Sequence, residues 1–138
     1  MVPRLRALFK LANNEIILVD NFVHPDMLAV LQPYVEAQPN LSLKFLTRRR
    51  NNRNFQSFNV DLNIFIQQYP DRQIEAKENN QCHDRFIIID GNTVYHSGHS
   101  FHDLGQTASH INKIEDFSES QRFIADFRTW WTTGNSLI

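Results

Sequence analysis

Buried-strand patterns alternate with amphipathic helical patterns along the first half of the chain. Apolar residues recur at helical spacing over 3–12, in the segment that begins at 24–26, and over 54–68, and we predict a helix for each. Nearly continuous apolar runs at 16–19 and 41–46 are typical of strands that are covered on both faces. This order of elements favours helical crossovers and a parallel sheet.

The second half contains the most hydrophobic strand. A short strand over 73–77 precedes the segment 84–90, which we predict to be a central strand, and the tight-turn signal at 90–92 leads into a returning strand. Pro33 is expected to kink or end the second helix, and Ser118 to cap the last one. The predicted fold class is α/β, with a mixed, largely parallel sheet and helices on both faces.

The composition suits one globular domain over residues 1–138, with 41% apolar and 21% charged residues. The single cysteine, Cys82, excludes a disulfide framework. A formal net charge of -1 argues against nucleic-acid binding through bulk charge, so any polyanion site must be local. No apolar run approaches the length of a membrane span, so we expect a cytoplasmic protein with no membrane partner.

Residues 83–90 read His-Asp-Arg-Phe-Ile-Ile-Ile-Asp. The stretch resembles the phospholipase D superfamily signature H-x-K-x4-D, with His83, Arg85 and Asp90 at the matching positions and Arg in place of Lys. The resemblance extends to the following hairpin, the preceding α/β segments and the final helix. It is to the compact, one-motif modules of bacterial, mobile-element and phage-type proteins. It implies a phosphodiesterase without metal or cofactor, whose active site needs two chains because each chain holds one motif.

The spacing of the motif has its own physical rationale. In a strand, His83 and Arg85 project from the same face, where an imidazole and a guanidinium converge on one phosphate. The imidazole attacks phosphorus to form a phosphohistidine, and fixed cations stabilise the equatorial oxygens. Asp90 is expected to orient the site. A second imidazole, expected to be His83 of a symmetry-related chain, protonates the leaving group, so we predict a homodimer.

Two departures from the signature favour phosphate binding over turnover. Arg85 keeps the charge of lysine, but its planar fork fills a different volume. Where the family has a G-S-x-N-like turn, His99 and Phe101 hold the serine and asparagine positions, unless Ser97 or Ser100 takes over by a local shift. The predicted phosphate ligands are Arg48, Arg85, His99 and Ser100.

The main basic patch is the arginine-rich segment 48–53, directly after a predicted buried strand. The carboxyl ends of parallel strands line the ligand crevice of an open α/β sheet, so Asp20 and Arg48 are expected to approach His83. The alternative is a solvated loop. No aromatic residue interleaves these arginines, so the sequence gives little support to a groove for single strands.

A dense group of histidines follows the motif, and it invites a metal-site interpretation. Its members are His96, His99, His102 and Asp103. Their spacing and the lone Cys82 argue against zinc, so we predict no metal site. We expect His96 and His99 near the mouth of the site and interpret His102 and Asp103 as helix-capping residues. The pair 130–131 is interpreted as core or dimer interface.

Two functions remain open from the sequence. The first is a metal-independent phosphodiesterase, a nuclease, that acts as a homodimer through His83. The second is a catalytically inactive module with the same fold, which binds nucleic acid, another phosphate-bearing ligand or a partner protein. A lipid phosphodiesterase finds no amphipathic membrane-binding surface in this sequence.

Overall fold

Four helices and a seven-stranded sheet form the described part of the chain, residues 2–98 and 111–138 of a computed structural model. In chain order they are α1 (Val2–Lys10), β1 (Glu15–Asp20), α2 (Asp26–Ala37), β2 (Ser42–Thr47), α3 (Phe55–Gln68), β3 (Gln73–Glu78), β4 (Arg85–Ile89), β5 (Thr93–Ser97), β6 (Ile111–Lys113), α4 (Phe117–Thr132) and β7 (Asn135–Ser136). The three helices and two strands predicted for the first half are all present.

Helix α3 follows the spacing of its apolar residues. Phe55, Phe58, Leu62 and Phe65 are all buried, as expected for side chains three and four positions apart on one helical face. The ring of Phe58 packs edge-on against Phe45 of β2, with the ring centroids 5.5 Å apart. Helix α3 is therefore fixed to the sheet along one side by aromatic contacts.

Helix α2 continues through Pro33 and ends at Ala37. Proline lacks the N–H that would bond to the carbonyl of Ala29, one turn earlier. Both residues are exposed, so water can bond to that carbonyl. Leu31 and Val35 remain buried on the other side of the helix, and this packing holds the last turn in place. An early stop at Pro33 is therefore the wrong expectation.

Helix α4 begins two residues earlier than its sequence suggests. Asp116 is the N-cap, and its Oδ1 accepts a hydrogen bond from the backbone N–H of Glu119 at 3.1 Å. Asp116 therefore takes the capping role predicted for Ser118, since aspartate and serine are both strong N-caps. None of the helices described is long and apolar enough to cross a bilayer.

The sheet is mixed and mostly antiparallel, so the expectation of a largely parallel sheet is wrong. The strand order is β6-β5-β4-β1-β2-β3-β7, and only the β1–β2 and β2–β3 pairs are parallel. A parallel connection needs a crossover of about a dozen residues or more, usually a helix. The segment 79–84 between β3 and β4 is shorter than that. Strand β4 therefore starts at the edge where β3 ends and runs antiparallel to β1.

Helices cover both faces of the sheet, as predicted. On one face α1, α2 and α3 bury alternate strand residues such as Leu18 and Ile87. On the other face α4 packs its Phe123, Phe127 and Trp130 against residues such as Ile88. Strand β4 lies between β1 and β5 and is buried on both sides. It is therefore an interior strand of the sheet, as its continuous apolar run indicates.

Asp90 fixes the end of β4 to the start of β1. The residue adopts a left-handed backbone conformation (φ 53°), and its carboxylate accepts hydrogen bonds from the backbone N–H groups of Asn13, Asn14 and Glu15 at 2.7–3.1 Å. Partial burial disfavours the charged carboxylate, but these three donors outweigh it and lower the pKa of Asp90. The ionised carboxylate therefore holds the loop between α1 and β1 against the hairpin.

We expect Asp90→Asn to lower the free energy of unfolding at pH 7 by about 1 kcal/mol, because charge-assisted hydrogen bonds are lost at a solvent-screened position. A lowered folded-state pKa contributes stability above the unfolded pKa of about 4, and this contribution disappears as the pH falls through the folded value. The difference between the two proteins should therefore shrink below about pH 4. Urea denaturation at pH 7 and pH 3 measures it. The matched control is Asp61→Asn, an exposed carboxylate on α3. Equal stability of wild type and Asp90→Asn at pH 7 would contradict the assignment.

Candidate functional site

The carboxyl ends of β1, β2, β3 and β5 meet the amino end of β4 at one edge of the sheet, here called the polar edge. Buried polar side chains concentrate there. They are Asp20, Asn21, Thr47, Asn52, Glu78 and Ser97. Among the residues that the structure describes, Ser120 is the only other polar residue buried to this degree. Because polar groups are costly to bury, their concentration identifies this edge as the candidate site.

Arg85 is the first residue of β4 and lies opposite Asp20 of β1 in the antiparallel register. Residues paired in this way have Cβ atoms about 4.5–5.5 Å apart on the same face. Strand alternation places both on the face that α1, α2 and α3 cover, together with Ile87. The Nε atom of Arg85 is buried and has no hydrogen-bond partner in the described part of the chain. A buried donor left in this state costs about 1–3 kcal/mol, so the position suits an anionic ligand.

Arg48 follows β2 directly and meets Phe22, which follows β1. Its guanidinium carbon lies 5.0 Å from the centroid of the Phe22 ring. The Nε atom of Arg48 is also buried and without a partner among the residues described. Among the described residues, three buried side-chain atoms lack a hydrogen-bond partner, and all three belong to the polar edge: the two arginine Nε atoms and Asn21 Oδ1. The polar edge therefore offers two guanidinium groups with uncompensated donors.

The Cys82 thiol is buried three residues before β4. Its pKa is raised to about 12, chiefly by burial; a backbone hydrogen bond from Asp84 and the charge of Arg48 oppose the increase, and the charge of Asp20 adds to it. The thiol itself stays protonated at neutral pH and is a poor nucleophile.

His83 is exposed and lies two residues before β4. Its Nδ1 atom is 2.8 Å from the backbone oxygen of Gln81. A carbonyl oxygen only accepts hydrogen bonds, so Nδ1 carries the proton and the neutral ring has its lone pair on Nε2. The ring packs edge-on against Trp130 of α4, with the centroids 5.1 Å apart. These two contacts orient an imidazole with a basic Nε2.

Asp84 and His96 anchor the backbone between His83 and Arg85. The Asp84 carboxylate accepts the backbone N–H of Arg85 at 2.8 Å and bonds to Nε2 of His96 at 2.9 Å. Partial burial opposes ionisation, but the bonds from His96 and from the Arg85 N–H prevail and lower the pKa of Asp84. The ring of His96 lies against Phe123 of α4, with the centroids 5.0 Å apart. In the part of the chain that the structure describes, no third metal-ligating side chain joins this pair.

His83 and Arg85 approach the polar edge from different faces. The expectation that both project from one face assumed that a strand runs through both residues. Strand β4 begins at Arg85, so His83 lies outside the alternation and contacts α4, whereas Arg85 faces the side of the three other helices. The two side chains therefore flank the end of the strand instead of lying side by side.

Asp90 lies at the far end of β4, away from His83, Arg85 and Arg48. Five steps of about 3.3 Å each separate Arg85 from Asp90 by about 16 Å, so Asp90 does not orient the site by direct contact within one chain. Its hydrogen bonds to the loop before β1 give it a structural position instead. Two further predicted phosphate ligands, His99 and Ser100, lie outside the described residues, as do His102, Asp103 and His110.

Three features of the site escaped the sequence interpretation. Phe22 stands beside Arg48, so an aromatic residue does accompany the arginines, but it comes from another segment of the chain. Trp130 supports His83 as well as the core. Asp84, the unassigned residue inside the motif, binds His96. The recurrence of polar residues directly after buried strands points to Asp20 and Arg48, but this signal does not include the apolar Phe22.

No family model and no curated protein matches the sequence. Solved structures do match the fold. NucT from Helicobacter pylori, a nuclease of the phospholipase D family, is similar over 97% of this chain and 91% of its own, with a TM-score of 0.65 and 11% identity. TrmBL2, an archaeal chromatin protein with a novel mode of DNA binding, is similar over 97% of this chain, with a TM-score of 0.59 and 14% identity. This chain spans 48% of the TrmBL2 chain. At these identities the likeness is one of fold: a mixed α/β fold that both a nuclease and a DNA-binding protein also have.

Proposed function

We propose that this protein is a metal-independent phosphodiesterase, a nuclease, that works as a homodimer. The observation that carries the proposal is the state of His83. Its ring is exposed, its Nδ1–H donates to the Gln81 carbonyl, and the residue lies just before β4, at the sheet edge that also holds Arg48 and Arg85. An exposed imidazole and two guanidinium groups at one edge are the groups that nucleophilic attack on a phosphodiester uses.

The reaction proceeds in two displacements. In the first, Nε2 of His83 forms a bond to phosphorus while the bond from phosphorus to the leaving oxygen breaks, and an acid protonates that oxygen. In the second displacement, the group that served as the acid now serves as a base. It takes a proton from water as the water oxygen attacks phosphorus, and the bond from phosphorus to Nε2 breaks, which regenerates the imidazole.

Arg48 and Arg85 are the proposed phosphate ligands. An arginine fork binds phosphate oxygens through two parallel hydrogen bonds, which are about twice as strong as neutral ones. The buried Nε atoms of both residues gain an acceptor when an anion binds, and this relieves the cost of leaving them unpaired. His99 and Ser100 stay in the proposal as further phosphate ligands. Asp90 contributes at a distance, by holding the far end of β4.

The acid comes from a second copy of the chain. Within the described residues, His96 already has its Nε2 bonded to Asp84, and the Nδ1 of His24 accepts the backbone N–H of Asp26. The two displacements need two groups on opposite sides of phosphorus, and the signature supplies one His83 in each chain. A two-fold homodimer provides the second group as another His83.

A second candidate is an inactive module that binds nucleic acid. Arg85 stands where the phospholipase D signature has lysine, and the change favours bidentate binding of phosphate over the geometry of a compact ammonium. The similarity to TrmBL2 is compatible with this function. Both candidates predict anion binding, and only the first predicts turnover.

We expect the wild-type protein to cleave labelled single- or double-stranded DNA or RNA in excess chelator, and His83→Ala to lose at least about 10³-fold in rate because the nucleophile is gone. His24→Gln is the matched control, since His24 lies at the start of α2 and bonds to the backbone of Asp26. Gel-resolved cleavage measures both. Full activity of His83→Ala, or loss of wild-type activity in chelator, would contradict the mechanism. Binding of nucleic acid without any cleavage would contradict the phosphodiesterase and favour the inactive module.

Arg85→Ala should weaken the binding of a labelled oligonucleotide by about tenfold or more, because a charge-assisted hydrogen-bond donor is removed. Arg48→Ala should act in the same direction. Arg122→Ala is the control, since Arg122 is exposed on α4 and pairs with Glu119 at 2.8 Å. Fluorescence anisotropy at one fixed salt concentration measures the three affinities. An unchanged affinity in Arg85→Ala would remove this residue from the site.

Mixing wild-type chains with His83→Ala chains tests the homodimer. When equal amounts of wild type and His83→Ala exchange subunits, about one quarter of the dimers carry two intact histidines, so the activity should be about half of that expected from dilution. Co-refolding the two chains ensures the exchange, and sedimentation gives the oligomeric state. An activity equal to the dilution value, or a monomer at concentrations above those of the assay, would overturn the two-chain site.

A further inference from the structure

A cavity adjoins the polar edge at the start of α3. It has a volume of about 650 Å³ and is lined by Phe22, Arg49, Asn51, Asn52, Arg53 and Asn54. Ligand pockets in proteins typically measure about 300–1,000 Å³, so this cavity exceeds what a single phosphate group needs. It is joined to the polar edge through the contact between Phe22 and Arg48.

The loop that forms the cavity is held by Asn52. This side chain is buried, donates to Thr47 Oγ1 and to the Arg48 carbonyl, and accepts the backbone N–H of Asn54 at 3.0 Å. The side-chain amide of Asn54 in turn donates to the Phe22 carbonyl oxygen at 3.5 Å. Asn51 adopts a left-handed conformation (φ 55°), which Asn tolerates better than most residues. The cavity is therefore preformed, and its aromatic and basic walls are tied together.

The walls combine an aromatic ring with uncompensated positive charge. Phe22 is half-buried, so part of its surface is exposed to solvent. Arg49 and Arg53 are exposed, and neither forms an ion pair among the residues described. No carboxylate lines the cavity in the described residues. The lining thus suits a ligand that is flat, polar at its rim and attached to negative charge.

We infer that this cavity binds one unstacked nucleobase of the substrate strand, with Phe22 as the stacking surface and Arg49 and Arg53 on the flanking phosphates. The inference rests on the proposed function for the class of substrate, and it adds a base-binding subsite that the signature residues do not include. Stacking on an aromatic side chain tolerates any base, so the subsite selects strand geometry more than sequence. A base paired inside a duplex has both faces covered and must first leave the stack.

The first test changes the ligand and leaves the cavity intact. His83→Ala protein, which does not cleave, is titrated in chelator with a fluorescein-labelled thymidine 12-mer and with a strand of the same length that is abasic at every position, so that no register places a base in the subsite. Loss of the bases should weaken binding about five- to 100-fold. A blunt duplex and free thymidine monophosphate, titrated alongside, distinguish a strand from a duplex and from a mononucleotide.

The second test changes the cavity. Phe22→Leu keeps an apolar side chain but removes the ring, so it should weaken binding of the intact strand and abolish the difference between the intact and the abasic strand. Phe117→Leu is the matched control, because Phe117 is 76% exposed at the start of α4. Arg53→Ala, an exposed position that does not endanger the fold, should reduce the slope of log affinity against log salt by about 0.7. Arg128→Ala on α4 should leave the binding of the strand unchanged.

The outcomes separate the subsite from the proposed function. Equal affinity for the intact strand and for the fully abasic strand would overturn the subsite, as would a duplex that binds as tightly as the single strand with no effect of Phe22→Leu. Cleavage by the wild type together with either result would leave the phosphodiesterase standing. An abasic effect that depends on Phe22, in a protein that cleaves nothing, would overturn the phosphodiesterase and keep the subsite.

Discussion

The antiparallel pairing of β4 with β1 is the constraint on which the site depends. Strand β4 is buried on both faces, and each of its residues is matched to one in β1, from Ile16 opposite Ile89 to Asp20 opposite Arg85. A slip of one residue would move the whole apolar set to the other face, so the register is strongly specified. The same register brings the amino end of β4, with its polar residues, to the carboxyl ends of β1 and β2.

The candidate site lies at one edge of a sheet in which parallel strands adjoin antiparallel ones. Strands β1, β2 and β3 are parallel and joined by helices, while β4 and β5 form an antiparallel hairpin beside them. The parallel part contributes Asp20 and Arg48 from strand ends, and the hairpin contributes His83, Arg85 and His96. Since these groups come from separate strands with fixed register, a rigid scaffold positions them.

Hydrogen bonds from buried and half-buried polar side chains hold the loops around this edge in place. The Asp84 carboxylate joins the start of β4 to His96 of β5, and Asn52 closes the loop after β2 through three hydrogen bonds. Both groups lie near the arginines, but neither carries the proposed chemistry. Their effect is to fix the backbone on which His83, Arg85 and Arg48 stand.

Much of this protein was readable from the sequence because its signals are local. The spacing of Phe55, Phe58, Leu62 and Phe65 determined a helix and its buried face, and the apolar run before Asp90 determined an interior strand. Only the tertiary structure decided three features: the relative directions of the strands, the separation of Asp90 from His83, and the contact between Phe22 and Arg48. Periodicity records which side of an element faces the core, whereas strand partners and contacts between distant loops depend on the packing of the whole chain.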